Sequence, residues 1–196
     1  TSGHRWRPEG AVGRLEAAAL PPEDVCRGLA ADAGVPAEAL VLLVARTASV
    51  AGTLQVVARS LETALHKLHD LHFDLGRIRG GRGIAPLPPV PADDMVAIGR
   101  TNDAILYGGT VTLDVAGDDA SLAAVGPRAV SGASPAAGAP FLELFERAGR
   151  DFYALDPALF APARLELVHA ETARRDRYGE LAPGIVAASF TGAVEA

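Results

Sequence analysis

Four groups of residues have types and spacings that could do chemistry. Arg59 and Glu62 stand three apart on the polar side of the most strongly patterned segment, where helical neighbours can touch. On spacing alone they make an exposed ion pair worth about 0.2–0.5 kcal/mol, with Arg before Glu the weaker order against the helix dipole. His66, His69 and His72 are imidazoles of the kind that bind zinc. Steps of three drift around a helix by about 60° each, so the three converge poorly, and no carboxylate stands where a zincin motif needs one. The helix dipole alone accounts for histidines near a helix C-terminus. Gly80-Gly81-Arg82-Gly83 could cradle an anion with backbone amides and one guanidinium, or form a plain flexible turn. Arg100-Thr101-Asn102-Asp103 combines a guanidinium, a hydroxyl, an amide and a carboxylate, which together can read a flat heterocycle with mixed donors and acceptors. The alternative is a turn whose Asn and Asp bond the local backbone.

The elements that position these residues follow from periodicity. Apolar residues at 54, 57, 58, 61, 64, 65, 68 and 71 form one stripe and predict a helix from about Thr53 to Leu71. Before it, Pro21-Pro22-Glu23-Asp24 opens a helix that carries Cys26 and ends at Gly34. Leu40 to Val44 is a continuous apolar run, which suits a strand buried on both faces. Asp93-Asp94 predicts a short helix ending near Gly99. Ala104–Tyr107 and Thr110–Val115 read as strands around Gly108-Gly109, which form a tight hairpin or a bulge. Gly132–Pro140 reads as a loop, Phe141–Ala148 as a helix and Arg164–His169 as a strand, with a short apolar run through Phe190 at the tail. Thr1–Gly13 shows no periodicity and reads as loop. Helices and strands mix without strict βαβ alternation, so the expected class is α+β with a mixed sheet packed by helices.

Composition narrows the function classes. The chain has 196 residues, 49% hydrophobic and 21% charged, which is ordinary for a packed protein. A net charge of −6 disfavours nucleic acid as a partner. No apolar run reaches the roughly 18 residues a membrane helix needs, and no apolar stretch after the polar start suggests a signal peptide. The single cysteine, Cys26, excludes an intrachain disulfide and a cysteine-cluster metal site, and fits a cytoplasmic setting.

Several stretches resemble the methenyltetrahydromethanopterin cyclohydrolase family. The most distinctive is Ile98-Gly99-Arg100-Thr101-Asn102-Asp103-Ala104-Ile105-Leu106-Tyr107-Gly108-Gly109. Thr47-Ala48-Ser49-Val50-Ala51-Gly52 resembles the segment before the family's catalytic helix, and Arg59-Ser60-Leu61-Glu62-Thr63-Ala64-Leu65-His66-Lys67 that helix itself. Gly83–Leu87 and Asp151–Pro157 also match, so the resemblance runs from about Leu20 to Phe190. There are departures. The family usually has proline where Arg46 stands, and Ser134–Gly138 lacks expected charged and aromatic residues.

The resemblance implies that residues 1–196 are the C-terminal portion of an incomplete two-domain cyclohydrolase fold, with more than a hundred N-terminal residues of the family missing. It implies a cytoplasmic homotrimer whose small-molecule pterin substrate lies in a cleft to which that missing part contributes, with no cofactor besides the carrier. The reaction opens a cyclic N–CH=N⁺ amidinium with water to give the N5-formyl carrier. Glu62 matches the family's catalytic carboxylate, and Arg59 the essential arginine that would hold it ionised and oriented. Arg100, Thr101, Asn102 and Asp103 become candidates for reading the pterin. The alternative expectation is a non-catalytic pterin-binding or assembly subunit of a split enzyme.

Overall fold

The computed structural model describes residues 9–192; the reading of Thr1–Gly13 as loop falls largely outside them. The described chain is α+β, as expected. It opens with a βαβ unit. β1 (Ala11–Glu16) and β2 (Leu40–Ala45) pair in parallel, from Ala11 opposite Leu40 to Glu16 opposite Ala45, and α1 (Glu23–Ala33) connects them. Residues 11–13, expected in a loop, therefore begin a strand. α1 starts after Pro22 and stops at Gly34, whose φ of 70° lets its N–H and that of Val35 close back on Ala31 and Ala30. β2 is not buried on both faces: Val41 and Leu43 are more than half exposed. Its other face, Leu40, Leu42 and Val44, shares a groove with Cys26 of α1.

The helix expected over 53–71 is two helices. α2 (Val50–Val57) and α3 (Ser60–Asp70) meet at Ala58–Arg59. Arg59 has φ −85° and ψ 13°, and its N–H bonds the carbonyl of Val56 instead of continuing the α ladder. The apolar stripe runs through the joint without a glycine or proline to mark it. The two halves serve different neighbours: α2 packs on α4 (Asp94–Leu106), α3 on the main sheet.

That sheet has strand order β3 (Ile78–Ile84), β4 (Thr110–Val115), β5 (Arg164–His169), β6 (Arg175–Tyr178). β3–β4 and β5–β6 are antiparallel and β4–β5 parallel, so the sheet is mixed. Its core joins Ala64 and Leu68 of α3 to Val111, Leu113 and Val115 of β4 and Leu165 and Leu167 of β5. α5 (Asp119–Val125) closes this cluster with Leu122 and Val125.

Gly80–Gly83 lie inside β3, where a loop was expected. These glycines permit close approach instead of a turn. A Cβ on Gly83 would collide with Ser60 Oγ and come 2.9 Å from the Leu61 nitrogen, so the strand backbone lies directly against the start of α3. α4 is also longer than expected. Asp93 caps it by accepting from the N–H groups of Met95 and Val96, and the helix runs through Arg100–Asp103 and the presumed strand 104–106. Gly108-Gly109 join α4 to β4, forming neither hairpin nor bulge; the Gly109 N–H still bonds Ile105. A second core packs Leu106 and Tyr107 against Phe141, Leu144 and Phe145 of α6 (Phe141–Arg147). α7 (Pro183–Thr191) lies on α4. No helix among the described residues is long and apolar enough to cross a membrane.

Candidate functional site

The site begins at the tight turn after β2. Ser49 caps α2: its Oγ accepts from the Gly52 N–H at 2.9 Å and donates to the Arg46 carbonyl at 2.6 Å. A Cβ on Gly52 would collide with that carbonyl and come 2.7 Å from the Thr47 oxygen, so only glycine fits. Asp94, at the start of α4, accepts from the Ala48 N–H at 2.8 Å and pairs with Arg46 at 3.1 Å. The backbone bond first, and Arg46 second, hold its carboxyl below the usual aspartate range. Arg46 thus helps tie the turn to α4, a link no local pattern announces.

Downstream of this turn, the exposed side of α3 faces α4 across a cavity of about 280 Å³. Arg59, Glu62, Thr63 and His66 line it from the α2–α3 segment, with Val56 at its edge. Asn102, Ile105 and Leu106 of α4 line the other wall, together with Phe160. Arg59 and Glu62 share this cavity but do not pair with each other. Among the described residues, neither side chain has an intramolecular hydrogen bond or ion pair, and the buried Arg59 Nε has no partner. Such groups are free to engage a ligand: a guanidinium and a carboxyl group on one apolar-walled pocket.

Of the four candidate readers, only Asn102 reaches the cavity. Its Nδ2 donates to the Ile98 carbonyl at 2.9 Å, which leaves its amide oxygen as an acceptor. Arg100 faces elsewhere and staples α4 to its surroundings, donating to the Ser189 and Pro89 carbonyls at 3.1 Å each. Thr101 is buried, with its hydroxyl on the Ala97 carbonyl at 2.8 Å. Asp103 is also buried and accepts from the Phe141 N–H at 2.8 Å. Burial pushes its carboxyl up to about 6, against hydrogen bonds from Ser189 and the Phe141 N–H. Once the segment is helical, its four residues point to different sides, and one face cannot hold them all.

The histidines separate in the same way. His66 and His69 are both largely exposed, but only His66 lines the cavity, its Nδ1 3.3 Å from Asp70, and His72 sits past the helix end at φ 59°. No group of three His, Cys, Asp or Glu residues among those described is arranged to hold a metal.

Sequence reasoning missed a second, larger cavity of about 720 Å³ at the C-terminal ends of β1 and β2. Arg14 and Glu16 of β1 and Gln55 of α2 line it, and Arg59 lies on its wall as well as on that of the first. Strands whose pairing joins distant segments leave no local signal, so this cavity was not visible from spacing.

A family model described as Cyclohydrolase (MCH) matches residues 3–190. A methenyltetrahydromethanopterin cyclohydrolase of Methylobacterium nodulans is 47% identical over 176 residues, covering 90% of this chain and 54% of that protein. One of Rhodopirellula baltica is 45% identical over 183 residues, 92% of this chain and 55% of its own length. One of Methanospirillum hungatei is 37% identical over 188 residues, 96% and 59% respectively. The chain spans a little over half the length of these relatives.

Proposed function

The chain belongs to the methenyltetrahydromethanopterin cyclohydrolase family, and on that premise we propose that it takes part in hydrolysing the cyclic amidinium of a methenyl-tetrahydromethanopterin carrier. The observation that carries this reading is the partnerless pair Arg59 and Glu62 on one cavity with Asn102.

The amidinium carbon is already electron-poor, so water can add to it directly. Glu62 accepts a proton from that water as the new C–O bond forms, giving a tetrahedral adduct. The adduct collapses to the N5-formyl product: the C–N10 bond breaks with its electron pair staying on nitrogen, Glu62 returns its proton to N10, and the adduct's hydroxyl proton leaves to solvent as the formyl C=O forms, so the cation and water end as a neutral carrier and one proton. Arg59 faces the same cavity and offers its unpartnered guanidinium N–H to acceptors of the bound carrier. Asn102 offers its amide oxygen as an acceptor toward the bound heterocycle. Arg100, Thr101 and Asp103, whose bonds are internal, act through the shape of α4.

Replacing Glu62 with Gln removes the base and keeps the volume. In the full-length gene product, loss of the methenyl absorbance should slow by about 10²–10⁴-fold. Near-normal turnover by Glu62→Gln would reject the assignment. The alternative reading is a non-catalytic pterin-binding subunit. That reading requires tight carrier binding without hydrolysis in the unaltered protein. A homotrimer, a cytoplasmic setting and the absence of a cofactor besides the carrier belong to the same proposal; light scattering of the purified protein tests the first.

A further inference from the structure

The amidinium carbon of the carrier lies between its pterin ring and its aryl arm. A substrate held at Arg59 and Glu62 must therefore extend both ways, and Arg59 has a cavity on either side. The two cavities differ in chemistry. The smaller is walled by Val56, Ile105, Leu106 and Phe160, which suits an aryl ring. The larger carries Arg14, Glu16 and Gln55.

Resting on the cyclohydrolase reading, we infer that the larger cavity is the pterin subsite and that Glu16 reads the pterin's 2-amino and N3–H edge. That edge presents two parallel donors, and an ionised carboxylate is the side chain that accepts two at once. Glu16 is held for this task. Its Oε2 accepts from Thr47 Oγ1 at 2.8 Å and its Oε1 from Gln55 Nε2. Each oxygen keeps a second lone pair, so both clamps and a bidentate ligand can be satisfied together. Arg14, two residues earlier in β1 and so on the same face, has no intramolecular partner among the described residues and supplies a donor for the 4-oxo group. Gln55 lies one helical turn before Arg59, so the clamp on Glu16 also ties the subsite to the catalytic arginine.

The test measures binding of the methenyl carrier and of its 2-deamino analogue to the full-length gene product by absorbance titration. The unaltered protein should prefer the parent by about 10–100-fold, the value of a hydrogen bond to a charged group. Glu16→Gln should weaken parent binding by a similar factor and reduce the preference to within about threefold. Glu16→Asp, which keeps the charge but withdraws it from the ligand, should do the same. A purely structural Glu16 would leave the preference intact even if overall affinity fell. An unchanged preference in either folded variant overturns the inference. If Glu62→Gln still slows hydrolysis by about 10²–10⁴-fold in that case, the function stands and only the subsite is lost.

Discussion

Asp103 offers a test that separates a ligand reader from a structural residue. Its carboxyl is 1% exposed and its pKa sits at about 6, against an ordinary 3.8. The folded protein therefore binds the proton more readily than the unfolded chain does. Stability contributed by this group is greatest below about pH 4, falls as pH rises toward 6 and stays low above it. The gap corresponds to about 3 kcal/mol that the buried charge costs at neutral pH. Asp103→Asn keeps the volume and an oxygen for the Phe141 N–H, and removes the charge. It should stabilise the protein by about 1–3 kcal/mol at pH 7.5 and by little at pH 4. Urea unfolding of both proteins at the two pH values measures this, and the other titrating groups cancel in the difference. KM for the carrier should not move, because Asp103 faces α6 and not the cavity. A variant equally or less stable at pH 7.5, or a KM raised tenfold, would refute the reasoning.

Three further outcomes follow from the same geometry. Asn102→Ala should raise KM for the carrier about tenfold with kcat within a few-fold, read by steady-state hydrolysis; an unchanged KM would leave Asn102 merely bonded to Ile98. Gly83→Ala should destabilise the protein by about 1–3 kcal/mol in thermal or urea unfolding, since the new methyl displaces Ser60 at the start of α3. Gly28→Ala, in α1 with nothing within 4 Å of the added Cβ, is the matched control and should gain about 0.5–1 kcal/mol.

What could be read in advance depended on whether the physical cause was local. α1 was legible because its Pro-Pro start and left-handed Gly34 stop are both in the sequence, β4 because Thr110–Val115 reads as a strand-like run, and β5 because its residues alternate, as its burial does. β3 was not, because glycines that let a helix touch a strand look the same as glycines that let a chain turn; Leu61 and Ser60 decide between them. α4 was truncated because Arg100–Asp103 resembles a turn until Ile98, Ala97 and Phe141 are known to absorb its polar groups. Arg59 and Glu62 were identified through family resemblance, since their spacing alone describes any surface pair. Glu16 carried no signal at all: its meaning comes from Thr47 and Gln55, brought to it by parallel pairing of β1 with β2.

The joint at Ala58–Arg59 links these points. In one continuous helix Arg59 would sit one turn from Glu62 on a shared surface, free to pair with it and be neutralised. Breaking the ladder turns Arg59 into the residue between two helices, with α2 packed on α4 and α3 on the sheet. Its Nε is buried there without a partner, a condition that costs about 1–3 kcal/mol in a folded protein. A sequence can retain such a group where a ligand supplies the missing acceptor. Two cavities meeting at this one guanidinium, one with Glu62 and the other with Glu16, are where that ligand would reach it.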